Sequence, residues 1–191
     1  MPATMPSAAT AAIAAVTFAA LYAGHQVGDH VVQSDRAAIA KGVPDRERLA
    51  AGVSPWTGWG ACLRHVAGYT ATQAAALVLV GLVAPLELTG MVIALIVSAS
   101  THAVIDRRWI VRRLIRLKGC HDWREGPYLI DQSLHVGAML VAAVLGVAVP
   151  GAVGVVTVAI AAAALVGAAL MTERRLGHGL SMSTVTPDDT R

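Results

Sequence analysis

Charged residues are scarce in this chain of 191 residues: Asp, Glu, Lys and Arg make up 14% of it, whereas an ordinary soluble domain has about 25%. Hydrophobic residues make up 55%, and the mean hydropathy is +0.61. This balance excludes a typical water-soluble domain and indicates an integral membrane protein. The basic segment that a signal peptide requires ahead of its apolar core is also lacking, so we expect the first apolar stretch to be retained.

Five apolar stretches are long enough, or nearly so, to cross a hydrocarbon core that requires about 20 helical residues. They cover residues 8–32, 61–84, 86–105, 129–149 and 151–171. The breaks between them contain proline, which disfavours helix continuation. The sequence therefore predicts an all-α bundle of about five transmembrane helices, with residues 1–171 as a single domain and residues 172–191 as a polar, disordered cytoplasmic tail.

All 15 Lys and Arg residues fall in three segments, 34–64, 107–124 and the tail. Cytoplasmic loops are enriched in basic residues, so five spans place these segments in the cytoplasm and the N-terminus outside. The excess of arginine over lysine and the abundance of alanine are typical of a GC-rich bacterium. We therefore expect a multi-pass protein of a bacterial inner membrane.

Cysteine is limited to Cys62 and Cys120, which both lie on or near the predicted cytoplasmic, reducing side. We therefore expect free thiols rather than a structural disulfide. The net charge of +3 in so apolar a chain is explained by topology and by contact with anionic lipid head groups. For this reason we expect no nucleic-acid partner, while protein partners and oligomeric state are not indicated.

Polar residues interrupt the cytoplasmic ends of four predicted spans, often four positions apart, and positions four apart share one face of a helix. Odd spans run inward and even spans run outward, so the ends of spans one and three and the starts of spans two and four lie at the same depth. Four histidines and three aspartates are expected in this layer: His25, Asp29, His65, His102, Asp106, Asp131 and His135. By contrast, His30 lies off the stripe of span one.

Ionisable side chains at this depth are costly unless they pair, face the bundle interior or line a wet cavity. Imidazole and carboxylate groups without thiolate suit a divalent metal, with zinc first and manganese or iron as alternatives. Seven candidates exceed one site, so either two metals bind or some residues orient the ligands. A metal beside a carboxylate base would hydrolyse a lipid head group or a cytoplasmic ester or phosphoester, and Asp29 and Asp106 are the candidate catalytic carboxylates.

Other interpretations remain open at this stage. The cluster would serve a non-catalytic scaffold if it only fixed helix packing. A metal or proton transporter would use it as a relay, although the outer halves of the spans carry few polar residues. A haem-binding bundle fits less well, because three aspartates lie nearby.

The segment RRWIVRRLIRLKG, residues 107–119, predicts a basic amphipathic helix between spans three and four. Wound as a helix, it gathers arginines on one side and aliphatic residues on the other, as an interfacial helix does. We expect it to bind anionic lipid head groups, or alternatively to hold a phosphate substrate beside the site. The arginines are Arg108, Arg112, Arg113 and Arg116.

The series HQVGDHVVQ, a lone histidine in the second span, HAVID and DQSLH resembles a small family of bacterial membrane proteins, domain of unknown function 3307. That family is distantly similar to proteins labelled membrane-bound metal-dependent hydrolases. The resemblance covers roughly residues 15–145, and the fifth span is expected to lie outside it. One departure is an arginine after HAVID where the family pattern has a lysine. The resemblance implies a polar signature of His25, Asp29, Gln33, His65, His102, Asp106, Asp131, Gln132 and His135, with Lys41 as the lysine that follows the first motif. Of these, Gln33, Gln132 and Lys41 are expected to surround the metal ligands.

Overall fold

The computed structural model of the protein describes residues 7–120 and 122–183, and these form helices and no strand. The first helix continues past its last α-helical residue as one π-helical turn, Gly28–Val32. The helices are α1 (Ala8–Val27), α2 (Asp35–Ala40), α3 (Arg46–Ala50), α4 (Trp59–Gly81), α5 (Leu88–Asp106), α6 (Trp109–Lys118), α7 (Gly126–Ala148) and α8 (Gly151–Ser183). The all-α prediction is confirmed.

Four helices of the described chain are long and apolar enough to cross a membrane: Ala8–Val32, Leu88–Asp106, Gly126–Ala148 and Gly151–Gly177. They coincide with four of the five predicted spans. The predicted second span, α4, has 23 residues but is not among them, because it carries Arg64, His65, Thr72 and Gln73 along its length. The direction in which each helix crosses stays a prediction.

Helix α5 lies at the centre of the bundle and packs against α4, α7 and α8, while α1 packs against α4 and α7. Away from the polar cluster, the core is formed by aliphatic residues of α1, α4, α5 and α7, with Leu21, Leu77, Ile93 and Met139 almost fully buried. Two glycines bring α1 close to α4. A Cβ atom on Gly24 would lie 2.6 Å from the Gln73 Cα atom, and one on Gly28 would lie 2.8 Å from the Thr72 Oγ1 atom.

Residues 172–183 are helical, as the continuation of α8, where a disordered tail was expected. The reason is tertiary contact that a polar composition does not reveal: the side chain of Glu173 is fully buried against Arg107. The remainder of the expected tail, residues 184–191, lies outside the described part of the chain.

The connection from α1 to α4 and the helix α6 cover the end of the bundle where the polar residues lie. Asp45 is the N-cap residue of helix α3, and its carboxylate accepts from the Arg48 backbone N–H at 2.9 Å. Helix α3 packs against α8, α2 against α4, and α6 against α7. The predicted amphipathic helix is therefore present as α6, between α5 and α7.

Candidate metal centre

The seven predicted ionisable residues meet at one end of the bundle. They come from α1 and its π-helical turn, from α4, from α5 and from α7. Six of their side chains are nearly inaccessible, with exposed fractions of 0% to 7%, and the seventh, Asp131, is 26% exposed. The π-helical turn begins at Gly28, and such turns are frequent at functional sites.

Four donor atoms converge most closely: the Nε2 atoms of His65 and His102, Asp29 Oδ1 and Asp106 Oδ2. The two imidazole nitrogens are 3.0 Å apart. Asp29 Oδ1 lies 3.3 Å from the His65 nitrogen and 3.6 Å from the His102 nitrogen. Asp106 Oδ2 lies 3.4 Å and 3.0 Å from the same two nitrogens. Each carboxylate oxygen therefore lies within 3.0–3.6 Å of both imidazole nitrogens, and His65, His102 and Asp106 form one group that could hold a metal ion.

These distances are compatible with a shared metal ion. Donors that are each about 2.0–2.1 Å from a tetrahedral zinc lie about 3.3 Å from one another. Asp29 Oδ1 and Asp106 Oδ2 are also buried and accept no well-aligned hydrogen bond from the described residues. Buried polar atoms in native proteins almost always have a partner. A divalent cation would satisfy both oxygens, so the residues present fit such an ion.

Two further groups with metal-ligand character adjoin this one and share residues with it. In the first, His135 Nε2 lies 3.7 Å from Asp106 Oδ1 and 3.7 Å from Asp131 Oδ2, and it lacks a hydrogen-bond partner in the described chain. In the second, His25 Nδ1 lies 3.6 Å from Asp29 Oδ2. The cluster therefore offers more ligand atoms than one ion requires.

The three residues expected around the ligands lie beside them. Lys41 Nζ is 2.8 Å from Asp106 Oδ1 and donates to Gln33 Oε1 at 3.4 Å. The His25 Nε2 atom lies 3.1 Å from Gln132 Oε1, an acceptor, which directs the proton of His25 to that nitrogen. A polar partner that fixes the tautomer and the ring orientation is the usual arrangement around metal-binding histidines.

Sequence reasoning did not assign Tyr69 to the site. Its ring stacks on that of His102, with centroids 3.7 Å apart and an interplanar angle of 25°. Its hydroxyl lies 2.7 Å from Ser98 Oγ and accepts from Gln73 Nε2 at 2.8 Å. The ring therefore holds the His102 imidazole in place. His65, Tyr69 and Gln73 follow one another at intervals of four residues, so they share one face of α4. This spacing could have placed Tyr69 beside the site.

Arg107 and Glu173 were also missed, and they anchor the segment that carries Lys41. The Arg107 guanidinium is fully buried and bonds both Glu173 carboxylate oxygens, at 2.8 and 3.1 Å. It also donates to the backbone carbonyl of Lys41 at 2.9 Å, and its own carbonyl accepts from the Val43 N–H at 3.0 Å. The guanidinium lies over the Trp59 ring, 4.9 Å from the ring centroid. Arg107 therefore connects the end of α5 to α8 and to the loop beside Asp106.

A cavity of about 440 Å³ opens beside the cluster. Its lining includes Asp29, Asp106 and Asp131, so the candidate metal centre borders a space that can admit a small molecule. Basic and aromatic side chains form much of its remaining wall, namely His30, Lys41, Arg108, Arg112 and Tyr128.

Comparison with known proteins identifies the family. A search of the curated proteins and a search of the solved structures found no significant match. The model of a family described as proteins of unknown function, DUF3307, matches residues 17–163. The match contains every residue of the cluster and extends into α8, further than the expected limit near residue 145. Because the match covers most of the 191 residues, the chain belongs to the DUF3307 family.

Proposed function

We propose that the protein holds a divalent metal ion, zinc in the first instance, at the cytoplasmic boundary of the membrane and uses it for hydrolysis. The observation that carries this proposal is the convergence of four donor atoms at 3.0–3.6 Å. Two histidines and two aspartates with no thiolate suit zinc, manganese or iron. The ligands are Asp29, His65, His102 and Asp106, and the neighbouring His25, Asp131 and His135 complete the site or hold a second ion.

The proposed reaction is hydrolysis of a phosphoester or ester that reaches the 440 Å³ cavity. A divalent cation held by these donors would have to accept a water or substrate oxygen as a further ligand. It would then supply Lewis-acid chemistry by polarising a carbonyl or phosphoryl oxygen and making water acidic near neutral pH. Burial of the ligands excludes bulk water, which strengthens electrostatic interactions within the site.

Asp131 is the carboxylate that we propose as proton acceptor, in addition to Asp29 and Asp106. The inner carboxylates are committed to short contacts with imidazoles and, for Asp106, with Lys41. Asp131 instead keeps 26% of its side chain exposed and lines the cavity. Gln132 Nε2 donates to its Oδ2 at 3.4 Å, which orients the group. A general base must reach the proton that it abstracts, and an accessible carboxylate meets that condition.

Metal content provides the first test. Protein purified in detergent without added metal or chelator is expected to retain a divalent ion in near-stoichiometric amount, measured by elemental analysis. His102→Ala and Asp106→Ala should each lose it. His30→Ala is the matched control, because His30 is exposed and belongs to none of the three ligand groups. Equal metal contents in the parent and in both site variants would rule out the proposed ligands.

Turnover provides the second test, with a panel of phosphomonoesters, phosphodiesters and carboxylic esters. Asp131→Asn is expected to retain the ion held by Asp29, His65, His102 and Asp106 and to lower kcat by 10²-fold or more, the usual contribution of a general base. A metal-loaded parent that hydrolyses nothing in the panel would contradict the proposed catalysis but not the proposed metal binding.

A non-catalytic scaffold is the second candidate, and one observation favours it. The pair between Lys41 Nζ and Asp106 Oδ1, at 2.8 Å, already compensates one buried charge without any metal. In a scaffold the cluster would fix helix packing through such pairs. This alternative predicts that His102→Ala lowers stability while the parent contains no metal to lose.

A further inference from the structure

The cavity beside the cluster is lined by groups of opposite charge. They are the carboxylates of Asp29, Asp106 and Asp131 and the guanidinium groups of Arg108 and Arg112. A divalent cation at these carboxylates would offset two of their three charges, and Lys41, whose Nζ lies 2.8 Å from Asp106 Oδ1, would offset the third. The guanidinium groups would then give this space of about 440 Å³ a net positive charge, which suits an anion.

Arg108 and Arg112 each have N–H groups that remain able to donate hydrogen bonds to a ligand. Arg108 Nη2 donates to the Ala38 carbonyl at 2.8 Å, and Arg112 Nη1 donates weakly to the Pro44 carbonyl at 3.4 Å. Within the described residues, neither arginine forms an ion pair with a carboxylate. Burial lowers the pKa of the Arg112 guanidinium, and the charge of Arg108 lowers it further. A guanidinium has five N–H donors in a planar fork that matches phosphate oxygens.

The backbone holds Arg108 in an uncommon conformation. Its φ is +65°, in the left-handed region that residues with a side chain rarely adopt. The side chain crosses Gly42, where a Cβ atom would lie 3.2 Å from Arg108 Cδ. Conformations of this kind persist where the surrounding structure determines them, and they concentrate at ligand-binding positions. The backbone conformation and the contact with Gly42 thus fix the position of Arg108, which lines the cavity.

We propose that Arg108 and Arg112 form an anion subsite that takes the phosphate group of the substrate, in the cavity that the three carboxylates also line. The proposal rests on the proposed function and names its substrate class, a phosphate ester. Charge-assisted bonds from a guanidinium to phosphate are among the stronger hydrogen bonds in proteins and are frequently bidentate.

Both a lipid head group and a soluble phosphoester present this phosphate chemistry. Val111, Ile115 and Tyr128 line the same cavity and offer apolar surface next to the arginines. This surface would contact the glycerol and first acyl carbons of a phospholipid. The experiment therefore compares the two sources directly.

The test is calorimetric titration of the full-length, zinc-loaded protein in detergent with inorganic phosphate at low ionic strength. Arg112→Gln and Arg108→Gln are each expected to weaken phosphate binding about tenfold or more, the typical effect of losing a charge-assisted hydrogen bond. Arg124→Gln is the control, since it removes the same charge from an exposed residue that does not line the cavity. Equal phosphate affinities for Arg112→Gln and Arg124→Gln, or no binding by the parent, would overturn the subsite.

Zinc content measured on every sample separates this proposal from the preceding one. Unchanged zinc with weakened phosphate binding in Arg112→Gln supports the subsite. If the parent holds no zinc, the proposed function fails, and the same titration of metal-free protein then tests the subsite by the same comparison of variants.

Titration with a short-chain phosphatidic acid is the second experiment. Binding at least tenfold tighter than that of inorganic phosphate identifies a lipid head group, and equal binding identifies a soluble phosphoester.

Discussion

His102 and Asp106 are neighbours along one face of α5, and their contact joins the two halves of the cluster. His102 Nε2 lies 3.0 Å from one Asp106 oxygen, while Lys41 and His135 approach the other oxygen at 2.8 and 3.7 Å. Spacing of four along a helix was enough to predict the first contact. Lys41 and His135 belong to other parts of the chain, so helical spacing could not predict their contacts with Asp106.

At the residue scale, Lys41→Met is expected to destabilise the metal-free protein by about 3–5 kcal/mol, because it leaves the buried Asp106 carboxylate without its cation. Added zinc should reduce this loss, since a metal at the four donors also compensates Asp106. The measurement is denaturant unfolding in detergent with and without zinc. Lys118→Met, at an exposed position of α6, is the control. A Lys41→Met protein as stable as this control would show that the ion pair contributes nothing.

The glycine contact between α1 and α4 matters at the scale of whole elements, because α1 carries His25 and leads into Asp29. Gly24→Ala would place a methyl carbon 2.6 Å from the Gln73 Cα atom, so one helix must move. We expect a loss of about 1–3 kcal/mol from overpacking and a lower metal content. Gly137→Ala adds a methyl group to α7 where no atom lies within 4 Å, and helix propensity favours that change by about 1 kcal/mol. Thermal unfolding in detergent compares the two, and equal midpoints would refute the close-contact argument.

The contact between α5 and α8 gives a second prediction for the elements. Glu173→Gln leaves the fully buried Arg107 guanidinium without its carboxylate, so we expect a loss of about 3–5 kcal/mol. The loop that Arg107 holds should loosen as well. Limited proteolysis within residues 41–58 measures this, with the exposed Glu125→Gln as the control. Proteolysis at the rate of the control would contradict the anchoring role of Arg107.

At the scale of the whole molecule, hydrophobic length and helical spacing were sufficient to predict the all-α bundle and the residues of the polar layer. They gave a common depth for His25, His65 and His102, and the structure adds the contacts among them. The buried position of Glu173 was not predictable from its polar surroundings, because its partner Arg107 lies 66 residues away in sequence. Spacing also could not establish which imidazoles share a carboxylate, since that depends on how the helices rotate against one another.

The orientation in the membrane is a further prediction for the whole molecule. Ala51→Cys in the basic loop and Val83→Cys in the turn between α4 and α5 are both exposed positions. In a protein that lacks Cys62 and Cys120, a membrane-impermeant thiol reagent added outside intact cells should label Val83→Cys, and it should label Ala51→Cys only after the cells are opened. Labelling of both positions from outside would contradict the five-span arrangement.

X-ray absorption at the metal edge of the purified protein shows whether two histidines and two aspartates hold one metal ion inside the bundle. We expect a first shell of nitrogen and oxygen atoms at about 2.0–2.1 Å without sulfur, with the multiple-scattering signal of two imidazoles. His65→Ala should reduce the imidazole signal or abolish metal binding. A first shell containing sulfur, a shell without imidazole, or a parent protein that binds no metal at all would exclude this metal centre.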